Sequence, residues 1–128
     1  MKIVFTISRL LLGLTFVVFG SNHFLHFIPM GPMPAGPAGQ FAGALFSTGY
    51  IYFVTVFELV GGLLLLANRY VALALALLAP VIVNIDLFHS LMAINGLPIA
   101  ILITVLWLIA AWRVRSVFVP LLRQRVTE

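Results

Sequence analysis

Four long apolar runs, at residues 3–28, 50–67, 71–92 and 97–112, leave almost nothing of the 128-residue chain for any other purpose. A helix crossing the hydrocarbon core of a bilayer needs about 20 mostly apolar residues, so four spans use well over half of the sequence. The remainder is too short for a separate soluble domain, and no internal repeat is visible. Apolar residues make up 63% of the chain and charged residues 8%, with a mean hydropathy of +1.22. Soluble domains are about 45–50% apolar. The expected fold is therefore an all-α integral membrane protein, a single four-transmembrane-helix bundle.

The connections follow from proline, glycine and polar residues. Pro29 stops the first span, and residues 29–49 form a loop whose first part holds Pro29, Pro32, Pro34 and Pro37 with three glycines, a composition that denies it regular structure. Gln40 to Thr48 places Phe41, Ala44, Leu45 and Thr48 at near-helical spacing, which predicts a short interfacial helix acting as a lid. Asn68-Arg69-Tyr70 and Asn95-Gly96 make tight turns, and Pro98 stands where the first turn of a helix tolerates it. Pro80 is expected to kink the third span by freeing the Ala76 carbonyl. Gly13, Gly20, Gly61 and Gly62 are candidate packing positions, where a missing side chain lets two helices approach.

Charge sets the orientation. Lys2, Arg69, Arg113, Arg115, Arg123 and Arg125 all fall on one side of a four-pass arrangement and the opposite loops hold no Lys or Arg, so both termini are expected in the cytoplasm. Tyr50 and Tyr52 at one boundary and Trp107 and Trp112 toward the other read as interfacial aromatics, and the basic tail 113–128 as a segment lying on the anionic inner leaflet. The formal charge of +4 is thus topological, with no basic, aromatic-interleaved motif for nucleic acid. The N-terminus could pass for a signal peptide, but Arg9 interrupts its apolar run and Gly20-Ser21-Asn22-His23 is a poor cleavage site. Cysteine is absent, which removes disulfides, thiol catalysis and iron–sulfur ligation by this chain.

Ionisable side chains within a span cost several kcal/mol unless paired or hydrated, so each of them needs a partner. On a rise of about 1.5 Å per residue, Arg9 lies roughly 9 Å and Glu58 roughly 13 Å from the cytoplasmic boundary. This predicts an intramembrane Arg9–Glu58 ion pair, either mechanistic or a lock on helix register. Asp86 and His89, one turn apart at roughly 22 and 27 Å on the same rise, can hydrogen-bond each other. Asn84 lies about 200° round the helix from Asp86 and can cap backbone disturbed by Pro80. Asn22, His23 and His26 occupy the level of His89, so a polar pocket beneath the lid is expected from Glu58, Asn84, Asp86, His89, Asn22, His23 and His26. The alternative is a set of interfacial residues bonded to headgroups and water.

Three ligand classes compete for such a pocket. A carboxylate-bridged di-metal centre needs Glu-x-x-His on two helices, whereas Asp86-x-x-His89 occurs once, so no metal site is assigned. Haem would need His23 or His26 facing His89, thin support for so demanding a group. A quinone needs a lipid-accessible slot with one or two donors near its carbonyls, which His89, Asp86 and Asn84 could supply. Hydrolysis and phosphoryl transfer lack their motifs: there is no nucleophile elbow, H-E-x-x-H or phosphate loop. Small four-span drug exporters also carry a membrane-embedded glutamate, but on their first helix and with weak charge bias.

The run Arg9-Leu-Leu-Leu-Gly13, then Phe19-Gly20 with Asn22-His23-Phe24, Glu58-Leu-Val-Gly61-Gly62 and Asn84 with Leu87-Phe88-His89, in that order, resembles the DoxX family. The Pro-rich loop and Thr48-Gly49-Tyr50 look like members of this group as well. The resemblance implies a small bacterial inner-membrane protein. Some relatives are associated with thiosulfate and quinone oxidoreduction, others with redox-defence assemblies, and distant ones with trafficking or chaperone-like roles. Arg9, Glu58, Asn84 and His89 match positions expected to be polar in the family, and the resemblance assigns no role to Asp86. The leading expectation is an accessory subunit of a redox membrane assembly, not a stand-alone enzyme, with a membrane or peripheral oxidoreductase as partner and self-association possible in principle. A noncatalytic lipid-binding or assembly factor is the second expectation, and a proton-coupled small-molecule carrier the third.

Overall fold

The structure, a computed structural model, describes residues 1–127. Among these, every regular element is helical: α1 (Lys2–Leu25), α2 (Pro37–Ser47), α3 (Tyr50–Leu66), α4 (Val71–Leu91), α5 (Leu97–Arg113) and the single turn α6 (Arg115–Phe118). A 3-10 turn, Ile94–Gly96, leads into α5, and another, Val119–Leu122, follows α6. Three segments, α1, α4 and Ile94–Arg113, are long and apolar enough to cross a membrane. With 17 residues α3 stands at the lower limit for a span. It makes a fourth when joined with α2, from which it is bent by 84°.

Local chemistry explains where the helices stop. α1 ends three residues before the expected Ile28, because His26 takes a left-handed conformation, φ 52°, and its N–H closes on the Asn22 carbonyl. α2 begins at Pro37 rather than Gln40: proline lacks only an N–H that the first turn leaves without a partner, and Gly36, φ 74°, supplies the turn before it. Gly49, φ 76°, makes the sharp corner between α2 and α3. α4 runs from Val71 to Leu91 with Pro80 inside it as one continuous helix.

α1, α3, α4 and α5 form a ring in which each packs on two neighbours: α1 on α3 and α5, α4 on α3 and α5. Neighbours are antiparallel. Gly13 meets Gly62 and Gly20 meets Leu59 across α1 and α3, while Gly61 lies against Leu78 across α3 and α4. A Cβ on Gly13 would stand 2.9 Å from the Gly62 carbonyl oxygen, and one on Gly62 2.9 Å from the Gly13 carbonyl oxygen, so these two backbones touch directly. In lipid, where apolar burial drives helix association weakly, such close packing is a main source of cohesion. The core between the helices holds Leu12, Phe16, Leu65, Leu75, Leu78 and Ile82, and large apolar side chains such as Leu14, Phe53, Leu63, Leu73 and Leu102 point outward.

The ring sorts the connections into two ends. Lys2, the Asn68–Tyr70 turn with Arg69, and Arg113 lie at one, the basic end. α2 lies at the other, with Phe46 edge-on to His23 of α1 and Phe41 against Phe88 of α4, so it bridges the ends of those two helices. Trp107 is not an interfacial anchor. Its indole N–H donates to the Leu75 carbonyl at 2.9 Å, which places it between α5 and α4.

Candidate functional site

The polar residues of the spans do not converge on one pocket; they divide into two separate centres and several local braces. The expected Arg9–Glu58 ion pair is not formed. Arg9, 7% exposed, donates through Nη1 to the carbonyls of Leu65 and Leu66, the last two residues of α3. These carbonyls carry the negative end of the helix dipole and lack a full set of amide partners, so a guanidinium there is stabilised without any carboxylate. The sequence estimate failed because it placed Ile3 and Ala67 at one level. In the bundle α1 extends beyond the end of α3: Arg9 is level with Leu65, and Glu58 is level with Gly20.

Glu58 forms the first centre with His23 and Thr55. The residue is 6% exposed, Oε2 has no hydrogen-bond partner, and that oxygen lies 3.5 Å from His23 Nδ1. His23 Nδ1 is closer to Thr55 Oγ1, at 2.7 Å, and Thr55 Oγ1 also lies 2.8 Å from the Ile51 carbonyl. A hydroxyl has one proton. With that proton on the Ile51 carbonyl Thr55 accepts from a protonated Nδ1, and with it on His23 Thr55 donates to an unprotonated Nδ1; in both forms Nδ1 is engaged by Thr55. Glu58 therefore feels His23 through space rather than through a directed bond. Gly20 makes this approach possible, since a Cβ there would be 3.4 Å from Glu58 Oε2 and 3.1 Å from Leu59. Phe46 of α2 covers the imidazole from the end of the bundle.

Asp86 forms the second centre with Thr104 of α5. Thr104 Oγ1 lies 2.7 Å from Asp86 Oδ2 and 3.0 Å from the Ala100 carbonyl. With its one proton directed to Asp86 it serves a carboxylate; with that proton on the Ala100 carbonyl it accepts from the carboxylic acid. The contact fits both forms. Asp86 Oδ1 is buried without a partner, and the residue borders a cleft of about 410 Å³ between α4 and α5, lined by Asp86, Ser90, Leu97, Ile101, Thr104 and Val105. Ser90, Ile101 and Val105 are exposed on the outer surface of the bundle, so the cleft opens sideways rather than under α2.

The other expected pocket residues are taken up locally. His89 does not bond Asp86: its Nδ1 donates to the Ala93 carbonyl at 3.1 Å, and its ring lies on Gly96, where any Cβ would collide with it. It thereby holds the α4–α5 turn. Asn84 faces outward and donates to the Pro80 carbonyl of its own helix at 2.8 Å, not to the Ala76 carbonyl that proline leaves free. Asn22, 2% exposed, accepts from the Ile28 N–H at 2.7 Å and donates to the Ile28 carbonyl at 3.2 Å, pinning the chain as it leaves α1. His26 is exposed at the end of α1. No two histidines face each other across the bundle as haem ligation would require, and among the described residues no group of three His, Cys, Asp or Glu side chains is placed to hold a metal ion. Thr55, Thr104 and Phe46 were not read from the sequence as site residues. A threonine in an apolar span carries no signal of its own, because its hydroxyl can always fall back on the carbonyl one turn before it.

An all-helical bundle with three to four apolar spans and two carboxyl groups sunk among them defines a small helical membrane protein. The chain belongs to the DoxX family, whose model, described as DoxX, matches residues 4–90. That stretch contains the whole Glu58 centre and Asp86, and it ends before α5 and Thr104. Neither the curated proteins nor the solved structures hold a significant match to the chain.

Proposed function

We propose that this DoxX-family protein is a multi-pass subunit of the bacterial inner membrane that serves a redox assembly, and that the α4–α5 cleft admits a quinone ring from the bilayer. The observation that carries the reading is Asp86, a carboxyl group on the wall of a largely apolar cleft that opens sideways, bonded through Oδ2 to Thr104 and with its buried Oδ1 unpaired. An unbonded buried polar atom is costly, and a ligand that bonds it recovers that cost. A quinone supplies two-electron chemistry with ring oxygens that accept hydrogen bonds when oxidised and donate them when reduced. A carboxyl group matches both, donating from its acid form and accepting in its carboxylate form, and the Asp86–Thr104 contact fits either. Electrons would come from an oxidoreductase partner, since the chain has no cysteine for an iron–sulfur cluster of its own. The basic end, with Lys2, Arg69 and Arg113, would face the cytoplasm by the positive-inside rule.

Purification in mild detergent from quinone-replete membranes, followed by solvent extraction, tests this reading. The wild type should retain about one quinone per chain, by the usual fit of one ring to one such slot, and Asp86→Leu should lose it while keeping its helical circular dichroism. A wild-type preparation free of quinone, or undiminished retention by Asp86→Leu, would overturn it. The second reading, a noncatalytic assembly factor, draws support from Asn22, Asn84 and His89, each of which bonds nearby backbone.

A further inference from the structure

A second cleft, of about 510 Å³, lies at the basic end between the first two turns of α1 and the last two of α5. Met1, Val4 and Phe5 form one wall and Leu108, Ile109 and Trp112 the other, with Arg113 and Arg115 at its mouth. Aromatic rings hold both guanidinium groups in place: Arg113 lies 6.0 Å from the centre of the Phe5 ring and Arg115 4.5 Å from that of Trp112. Arg115 also donates through Nη1 to the Trp112 carbonyl at 2.8 Å, which leaves its remaining N–H donors free to act outward. The break at Val114, where α5 ends and α6 begins, falls between the two arginines, and both line the cleft. No described carboxylate pairs with either of them; Glu58 and Asp86 lie far down the bundle, and Glu128 is outside the described residues.

We infer that this cleft is a binding site for one anionic phospholipid, its acyl chain against Val4, Phe5, Leu108 and Ile109 and its phosphate held by Arg113 and Arg115. The occupant follows from the combination. An apolar trough that opens to the bilayer takes hydrocarbon, and two guanidinium groups at the level of the headgroups match phosphate oxygens in shape and charge. Basic pockets between spans at a membrane surface select anionic over zwitterionic lipids on this principle. Trp112, 64% exposed, stands where an indole prefers to sit, at the boundary between chains and headgroups. The site is independent of the quinone reading, because it is built on the last two turns of α5, beyond Thr104, and shares no residue with the α4–α5 cleft.

Native mass spectrometry of the detergent-solubilised protein, titrated with phosphatidylglycerol or phosphatidylcholine, tests the inference. One phosphatidylglycerol should be retained in preference to phosphatidylcholine. The double variant Arg113→Gln/Arg115→Gln should bind it about 30-fold more weakly, the factor that corresponds to about 1 kcal/mol for each basic group near a membrane surface. Arg123→Gln/Arg125→Gln, which removes the same charge from the tail, should change retention less than about 3-fold on the same scale, those groups being away from the cleft. Val4→Trp keeps every charge but fills the trough, and it should expel the lipid; this variant carries the test if the arginine pair is needed for folding. Equal retention of the two lipids by the wild type, equal losses from the two double variants, or full retention by Val4→Trp would each refute the site.

Discussion

Replacing Arg9 by Met and Glu58 by Gln, singly and together, should give losses of stability that nearly add. Arg9 is bonded to the carbonyls at the end of α3, whereas Glu58 is level with Gly20, eleven residues further along α1. At about 1.5 Å per residue the two charges are about 16 Å apart. Scaling the Coulomb energy with an effective dielectric of about 20 gives about 1 kcal/mol at that distance, against about 4 kcal/mol for a pair at 4 Å. Breaking a buried pair by removing one member typically costs 3–5 kcal/mol, so the two arrangements are well separated. Arg9→Met alone should cost about 1.5–3 kcal/mol, the range for hydrogen bonds from a charged donor. Reversible unfolding in mixed micelles, followed by the fluorescence of Trp107 and Trp112, supplies the four free energies of the cycle. A coupling of about 3 kcal/mol or more would refute the arrangement. The contrasting cycle of His23→Gln with Glu58→Gln, groups 3.5 Å apart, should show a coupling of about 0.5–3 kcal/mol.

Two further outcomes follow from packing and from the loop after α1. Gly62→Ala should destabilise by about 1–3 kcal/mol, because its methyl group meets the Gly13 carbonyl and Val17, including backbone that cannot rotate away. Gly43→Ala in α2, where no atom lies within 4 Å of the added Cβ, should stabilise by about 0.5–1 kcal/mol; coincident thermal midpoints for the two would contradict the contact geometry. Asn22→Leu leaves the Ile28 N–H and carbonyl without their buried partner, at a cost of about 1–3 kcal/mol. Limited proteolysis should then cut residues 29–36 faster than in the wild type, and an unchanged rate would count against the brace.

Much of the architecture could be read one segment at a time. The apolar runs, the proline at 29, the turn at Asn68–Tyr70 and the placement of Lys2, Arg69 and Arg113 are local features, and they gave helices, corners and a basic end close to those in the structure, whereas Pro37 was read as part of the loop and opens α2. Glycines at 13 and 62 were legible as places without side chains, though not as each other's neighbours. Ionisable residues stood out because hydrocarbon penalises them wherever they lie, so Arg9, Glu58 and Asp86 could be singled out without knowing their surroundings.

Partnership was another matter. Which side chain meets which depends on how far α1 slides past α3 and on the rotation of α4 against α5. The Gly13–Gly62 contact between α1 and α3 and the Gly61–Leu78 fit between α3 and α4 are among the contacts that fix how the helices sit. A shift of a few residues moved Arg9 from Glu58 to the end of α3 and left Glu58 to His23 and Thr55. Likewise, the orientation of α5 gave Asp86 to Thr104, while His89 was turned to the Ala93 carbonyl. The amino-acid order by itself determined the solvent this protein lives in, its helices and the presence of buried charge, because those depend on composition and short-range periodicity. Only the tertiary structure decided which groups share a centre, because register between helices is the sum of many weak contacts along their length and no single residue announces it.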